Sequence, residues 1–370
     1  MVILYNVILV VAAIIYVFLL LTGHIRDDLA KVCLIIFSCV LVFIASCRYE
    51  IGKTDFYRYR QYFLQYANSS WKQIFSLEKE VGFAVLLKLC SYVTKDPQIM
   101  FFVCSILTVA PFAWFINKYS KDPFLSLLIF VSFTYFFTAN NATRQYVAIG
   151  ISLIALHYAI KRKFIPFVLF VLLASTIHTS ALFVLILYVL CGVKYNKVSS
   201  LVYVVITPII IFLVPVLMRF IQQFVYSHYV EGNYGVESSD KLGLVLPVIL
   251  FVFVVLFEFF NDDKVVNKEF EKKILLEPQS RLHNMIWHMV SIMLVTSACQ
   301  VTQALVIGRL GWYCQIGVCL FISEIDGLFV DEEKSLVKMI LVVFALLYFL
   351  VFNALGKLCP TPYYFFWDIY

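Results

Sequence analysis

"MVILYNVILVVAAIIYVFLLLT", residues 1–22, contains no charged side chain. At about 1.5 Å of rise per residue it is long enough, as a helix, to cross the roughly 30 Å hydrocarbon core of a bilayer. It has neither the basic leading region nor the small-residue cleavage site of a secretory signal, so it reads as a retained first span. Similar runs recur along the remainder of the 370 residues. The chain is 62% hydrophobic and only 14% charged, against roughly a quarter charged in soluble domains. A spanning segment must satisfy its own backbone hydrogen bonds, and continuous apolar runs do so as helices. The expected fold is an all-α polytopic membrane protein, a single integral-membrane domain over 1–370.

About twelve candidate spans follow from the apolar runs, near 2–22, 30–46, 97–116, 123–139, 145–160, 164–177, 180–193, 200–217, 242–260, 285–305, 308–325 and 335–354. The segment "EVGFAVLLKLCSYV" (80–93) is shorter and carries Lys88 at its middle, as expected of an amphipathic or re-entrant helix at the interface. Ten cysteines occur without a C-x-x-C pair, most of them inside apolar runs, where a thiol acts as a small hydrophobe. Cys47 and Cys359 lie near span ends.

The net charge of +6 is spread over short loops and reads as a topology signal, giving no footprint for nucleic acid. Alternate loops collect Arg26, Lys118, Lys121, Lys161, Arg162, Lys163, Lys194, Lys264, Lys272, Lys334 and Lys338, which places them in the cytoplasm. The loop 261–284 belongs to that side and looks like a solvated connector. Both termini, the segment 47–96 and the loop 218–241 then fall outside. The outer loop 218–241 is long and tyrosine-rich, as a lid over a binding site is.

The segment 47–96 breaks the positive-inside trend. It begins with "RYEIGKTDFYRYRQYF" (48–63), dense in cations and aromatic rings. A solvated loop explains this; an anionic ligand held at the outer surface explains it equally. In the resulting topology Arg48, Asp55, Glu80, Arg144, His178 and Arg309 all gather at the outer ends of spans, and ionisable groups at membrane level are functional candidates. In "ANNATRQYVAIGI" (139–151), Asn140 or Asn141 can cap a helix whose first turn holds Arg144 and Gln145. Such a helix start is a phosphate seat, or Arg144 simply snorkels. His178, in "STIHTS", can act as a base near neutral pH, or bond to the backbone of a turn. His157 faces the basic cytoplasmic end and reads as structural. Tyr57, Tyr59 and Tyr62, with Tyr229 and Tyr234 in the later outer loop, form either an interfacial belt or a sugar-binding surface. No metal-ligand spacing, P-loop or dinucleotide fingerprint appears.

Arg48, Gly52, Asp55 and Tyr59 resemble the first outer-loop signature of the EpsG-like branch of Wzy polymerases. The resemblance continues through "E-x-GF" (Glu80, Gly82, Phe83), "N-x-x-RQ" (Asn141, Arg144, Gln145), the run ending at His178, "GR" at Arg309 and the aromatic tail "PYYFFW" (362–367). The family pattern commonly has proline where this chain has Val81. The resemblance implies a plan related to GT-C-type glycosyltransferases. It implies polymerisation of undecaprenyl-diphosphate-linked oligosaccharide units into O-antigen, capsule or exopolysaccharide at the outer face of the bacterial cytoplasmic membrane. No cofactor or metal is then needed, since the sugar–diphosphate bond carries the energy. Arg48, Arg144, Gln145 and Arg309 would hold the diphosphate. His178, or else Asp55 or Glu80, would be the base, and the tyrosines would line the glycan groove. Partners would be the lipid bilayer, a chain-length regulator and a flippase. The competing expectations are a lipid-linked oligosaccharide flippase, with midplane charges and internal repeats, another lipid-linked glycosyltransferase or ligase, and an acyltransferase using His178.

Overall fold

The computed structural model describes residues 3–24, 28–49, 53–77, 80–224, 242–260, 277–301, 305–325, 329–355 and 364–369. Helices dominate: α1 (Ile3–Leu21), α2 (Asp28–Ser46), α3 (Lys53–Asn68), α4 (Trp71–Phe75), α5 (Val81–Val93), α6 (Gln98–Tyr119), α7 (Pro123–Ser132), α8 (Tyr135–Asn141), α9 (Thr143–Ile160), α10 (Phe164–Ile177), α11 (Val184–Leu190), α12 (Lys197–Phe224), α13 (Leu242–Phe260), α14 (Pro278–Val301), α15 (Leu305–Leu310), α16 (Gln315–Ile322) and α17 (Asp331–Ala354). Five of them (α1, α2, α6, α14 and α17) are long and apolar enough to cross a membrane, and the bent pair α7–α8 makes a sixth among the described residues. Their outward faces are apolar too, with Ile14, Phe18, Ile35 and Ile340 more than half exposed, a surface suited to lipid and not to water. The protein is a polytopic helical membrane protein.

The apolar run 123–139 reads in sequence as one span, but the structure breaks it. The helix stops at Phe133, Thr134 takes a left-handed φ of 69°, and α8 leaves at 55° to α7. Such a backbone is costly for a β-branched residue. Residues 218–224 continue α12, while 225–241, with Tyr229 and Tyr234, lie outside the described residues. Residues 278–284 open α14, and 261–276 lie outside.

Two compact units divide the chain. In the first (1–159, 163–184 and 322–370), aromatic side chains fill the core: Phe112 and Phe130 meet at 4.5 Å, and Phe56 stacks on Phe101 at 4.8 Å. Helix α6 fixes the two ends of this unit. At its start, Gln98 donates to the Arg48 carbonyl at 3.4 Å. Just past its end, about 33 Å along the axis, the fully buried Asp122 caps α7 through Leu125 N–H at 3.3 Å and accepts from Tyr16 at 2.7 Å and Lys338 at 3.1 Å. A short antiparallel ladder joins β1 (Arg48–Tyr49) to β2 (Tyr364–Phe365), pairing Arg48 with Phe365 and Tyr49 with Tyr364. The aromatic tail thus docks on the start of the charged segment.

The second unit (160–162 and 185–321) packs around α14. Tyr195 bonds Ser291 at 2.8 Å, Tyr203 bonds His288 at 2.9 Å, and the His283 ring lies 3.9 Å from that of Trp287.

Candidate active site

The segment 47–96 is more structured than a loop. Its main helices, α3 and α5, pack on each other. Lys88, which looks out of place in an apolar helix, reaches back to the Ala67 carbonyl at 2.9 Å in the last turn of α3. A cation there satisfies an orphan carbonyl and complements the helix dipole.

Helix α5 also touches α10, and glycine allows it. A Cβ on Gly82 would meet Thr176 Oγ1 at 2.2 Å and Thr176 Cβ at 2.9 Å. Gly82→Ala is therefore expected to destabilise the fold by about 1–3 kcal/mol and to push α5 off α10. A lowered unfolding temperature, partly restored by adding Thr176→Ala, is the check. Next to it, Phe83 is buried against the Tyr59 ring at 5.9 Å and lies 5.9 Å from the Arg144 guanidinium.

Glu80 precedes α5 with φ 57° and ψ 36°, and its side chain makes no cap bond to the helix. This left-handed backbone is rare for glutamate, and such strain gathers at functional sites. It turns the carboxylate toward α9 and the end of α10. One oxygen pairs with Arg144 Nη1 at 2.7 Å. The other meets His178 Nδ1 at 2.6 Å and accepts the Thr179 N–H at 3.2 Å. All three side chains keep partial access to solvent, with 29% of Arg144, 23% of His178 and 16% of Glu80 exposed. Helices α9 and α10 are joined by the short turn at 161–163, and the start of the first and the end of the second meet at the Glu80 carboxylate. Arg144, at the start of one, and His178, after the end of the other, therefore share one face.

Burial pushes the Glu80 carboxyl up, but the His178 hydrogen bond, the Arg144 charge and the Thr179 N–H outweigh it and hold it below the usual carboxylate range. A depressed acid contributes stability above its unfolded value, near pH 4.3, and loses it as pH falls through the lower folded value. The difference in unfolding temperature between the unsubstituted protein and Glu80→Gln should shrink as pH falls below about 4. Scanning calorimetry at stepped pH checks this.

Arg48 differs from the expected phosphate ligand. It is 1% exposed, and it donates to the Ala45 carbonyl, to the Asn140 carbonyl at 3.2 Å and to Thr143 Oγ1 at 3.1 Å, beside the Phe101 ring at 4.6 Å. It ties together the C-terminal ends of α2 and α8, whose carbonyls attract a cation. Asn140 and Asn141 end α8 and do not cap α9 as expected. The Arg144 N–H is taken instead by the hydroxyl of Tyr59 at 3.2 Å. Tyr59 is buried, its hydroxyl pushed up to about 12 by that burial, so it anchors α9 and faces no groove. Tyr62 is half-buried and stacks on Tyr66 at 6.1 Å; Tyr57 is exposed. Gln145 is buried, and Asp55 sits in the first turn of α3. Among the described residues, Glu80, Arg144 and His178 share no hydrogen bond or ion pair with Asp55. Arg309 belongs to the second unit, exposed beside the Trp312 ring at 5.5 Å.

Among the described residues no cluster of metal-ligating side chains occurs. Fold and site define a polytopic membrane protein with a carboxylate, a guanidinium and an imidazole bonded together where helices end. The chain belongs to the EpsG family, whose model matches residues 31–365 and so covers all three groups. This family is related to the Wzy-like polymerases, and membership implies a glycosyltransferase-like polymerase activity in a membrane. No curated protein and no solved structure matches the chain.

Proposed function

We propose that the protein joins undecaprenyl-diphosphate-linked oligosaccharide units into a long polysaccharide of the O-antigen, capsule or exopolysaccharide type. The growing chain passes to a hydroxyl of the incoming unit at the outer face of the bacterial cytoplasmic membrane. The observation that carries this reading is the Arg144–Glu80–His178 cluster in a chain of this family. Bonded through Nδ1 to Glu80, His178 presents Nε2 to an acceptor hydroxyl. The hydroxyl oxygen attacks the anomeric carbon while its proton moves to Nε2. The bond from that carbon to the diphosphate oxygen breaks, and the electron pair leaves with the diphosphate. Arg144 lies on the same face and offers paired N–H donors to those oxygens. Tyr57, Tyr62 and Tyr66 are the rings offered to sugar faces. A chain-length regulator and a flippase would act alongside.

The test is reconstitution in nanodiscs with the cognate lipid-linked unit, chelator and no nucleotide. A gel ladder of regular steps is expected, because the sugar–diphosphate bond supplies the energy and arginine the positive charge. A missing ladder with verified substrate and folded protein would turn the reading toward transport. The broken α7–α8 pair is the feature a flippase would share, and a vesicle flipping assay would then decide.

A further inference from the structure

We propose that Glu80 is a shared counter-ion, which an incoming diphosphate transfers from Arg144 to His178, so that binding of the leaving group prepares the base. The inference rests on the reading of Arg144 and His178 given above and assigns Glu80 a positioning role in place of a base's.

The geometry divides one carboxylate between two cations-to-be. Oε2 is engaged by Arg144 at 2.7 Å, and Oε1 by His178 Nδ1 at 2.6 Å and Thr179 N–H at 3.2 Å. A carboxylate so engaged is a poor base, because its lone pairs are already committed. Its backbone is held in a strained left-handed conformation that aims it between α9 and α10. Arg144 therefore neutralises much of the negative charge that would otherwise favour protonated His178. A diphosphate carries several negative charges and two sets of acceptor oxygens. It competes for the same guanidinium, whose fork matches phosphate geometry. Once Arg144 faces the diphosphate, the Glu80 charge acts on His178 alone, and the imidazole gains affinity for a proton. That gain coincides with the arrival of the sugar whose acceptor must be deprotonated. Among the described residues, the hydroxyls of Tyr59 and Tyr66 on α3 face the cluster, and burial pushes both up, so they stay neutral through this range; the Asp55 carboxylate lies close enough to Tyr59 to act on it electrostatically.

The experiment is a pH titration of the full-length protein in nanodiscs with isotope-labelled histidine, followed by NMR. The chain has six histidines; the His178 signal is the one that disappears in His178→Gln. Inorganic pyrophosphate is the probe, its binding measured separately by calorimetry in the unsubstituted protein, Arg144→Ala and Glu80→Gln. The expected result is Arg144-dependent binding that raises the His178 midpoint by about one pH unit or more, with that rise lost in Glu80→Gln although pyrophosphate still binds. An equal rise in Glu80→Gln would mean that the anion acts on His178 directly, which overturns the shared counter-ion and leaves the roles of Arg144 and His178 standing. Binding that is absent, or indifferent to Arg144→Ala, overturns the diphosphate reading and the inference with it. Glu80→Asp, with its shorter reach, separates geometry from charge if Glu80→Gln does not fold. A rise reduced in Glu80→Asp while pyrophosphate binding still depends on Arg144 supports the role, and a rise of equal size overturns it.

Discussion

His178→Ala is expected to lower the rate of ladder formation by on the order of 10²–10⁴-fold, the usual contribution of a positioned general base. Substrate binding should survive, since the side chain is removed from the acceptor's proton and not from the diphosphate. The fold should survive too: His178 ends α10 through its backbone N–H, bonded to Ala174 O at 2.9 Å, which alanine retains. The loss should therefore appear in kcat with KM nearly unchanged. His178→Gln is the sharper variant. Its amide can still donate to Glu80, so the local hydrogen bond is kept while the proton acceptor is gone. If glutamine keeps the bond to Glu80 and turnover is still lost, the imidazole acts chemically. Turnover that survives both substitutions at matched expression would remove His178 as the base.

The helices of this protein were legible because apolar length is a one-dimensional property. α1, α2, α6 and α17 lie where the apolar runs place them. The Thr134 break was hidden, since nothing in "FLSLLIFVSFTYFFTAN" supplies a proline or glycine to mark it. Of the candidate site, the side chains that meet at Glu80 could be singled out in the sequence, and their wiring could not. Glu80, Arg144 and His178 could each be singled out as costly groups near span ends. Which cation faced outward could not be read from residue type. Arg48 and Arg144 look alike in sequence, yet one lies beside the carbonyl ends of two helices and is consumed there, and the other lies beside a carboxylate. Tyr59 likewise shares its spacing with Tyr62, and only the packing of α9 on α3 buries its hydroxyl against the Arg144 N–H. Lys88 read as an interfacial charge because its partner, the Ala67 carbonyl, is a backbone group with no sequence signature.

Arg144→Ala is expected to reduce turnover by roughly 10²–10³-fold, the scale for losing one donor to a charge that develops on a leaving group. It should also destabilise the fold by about 1–3 kcal/mol, because the Glu80 carboxylate loses one of its partners while still mostly buried. The two effects have different causes and can be separated. Adding Glu80→Gln to Arg144→Ala removes the uncompensated charge and should recover much of the stability. It cannot recover turnover, since the diphosphate still lacks its guanidinium. Arg144→Lys keeps a positive charge near Glu80 but offers a point charge where a planar fork was, so it should restore stability more fully than rate. A double variant that recovered both would mean that Arg144 serves only to neutralise Glu80. In that case the diphosphate is held by a group other than Arg144.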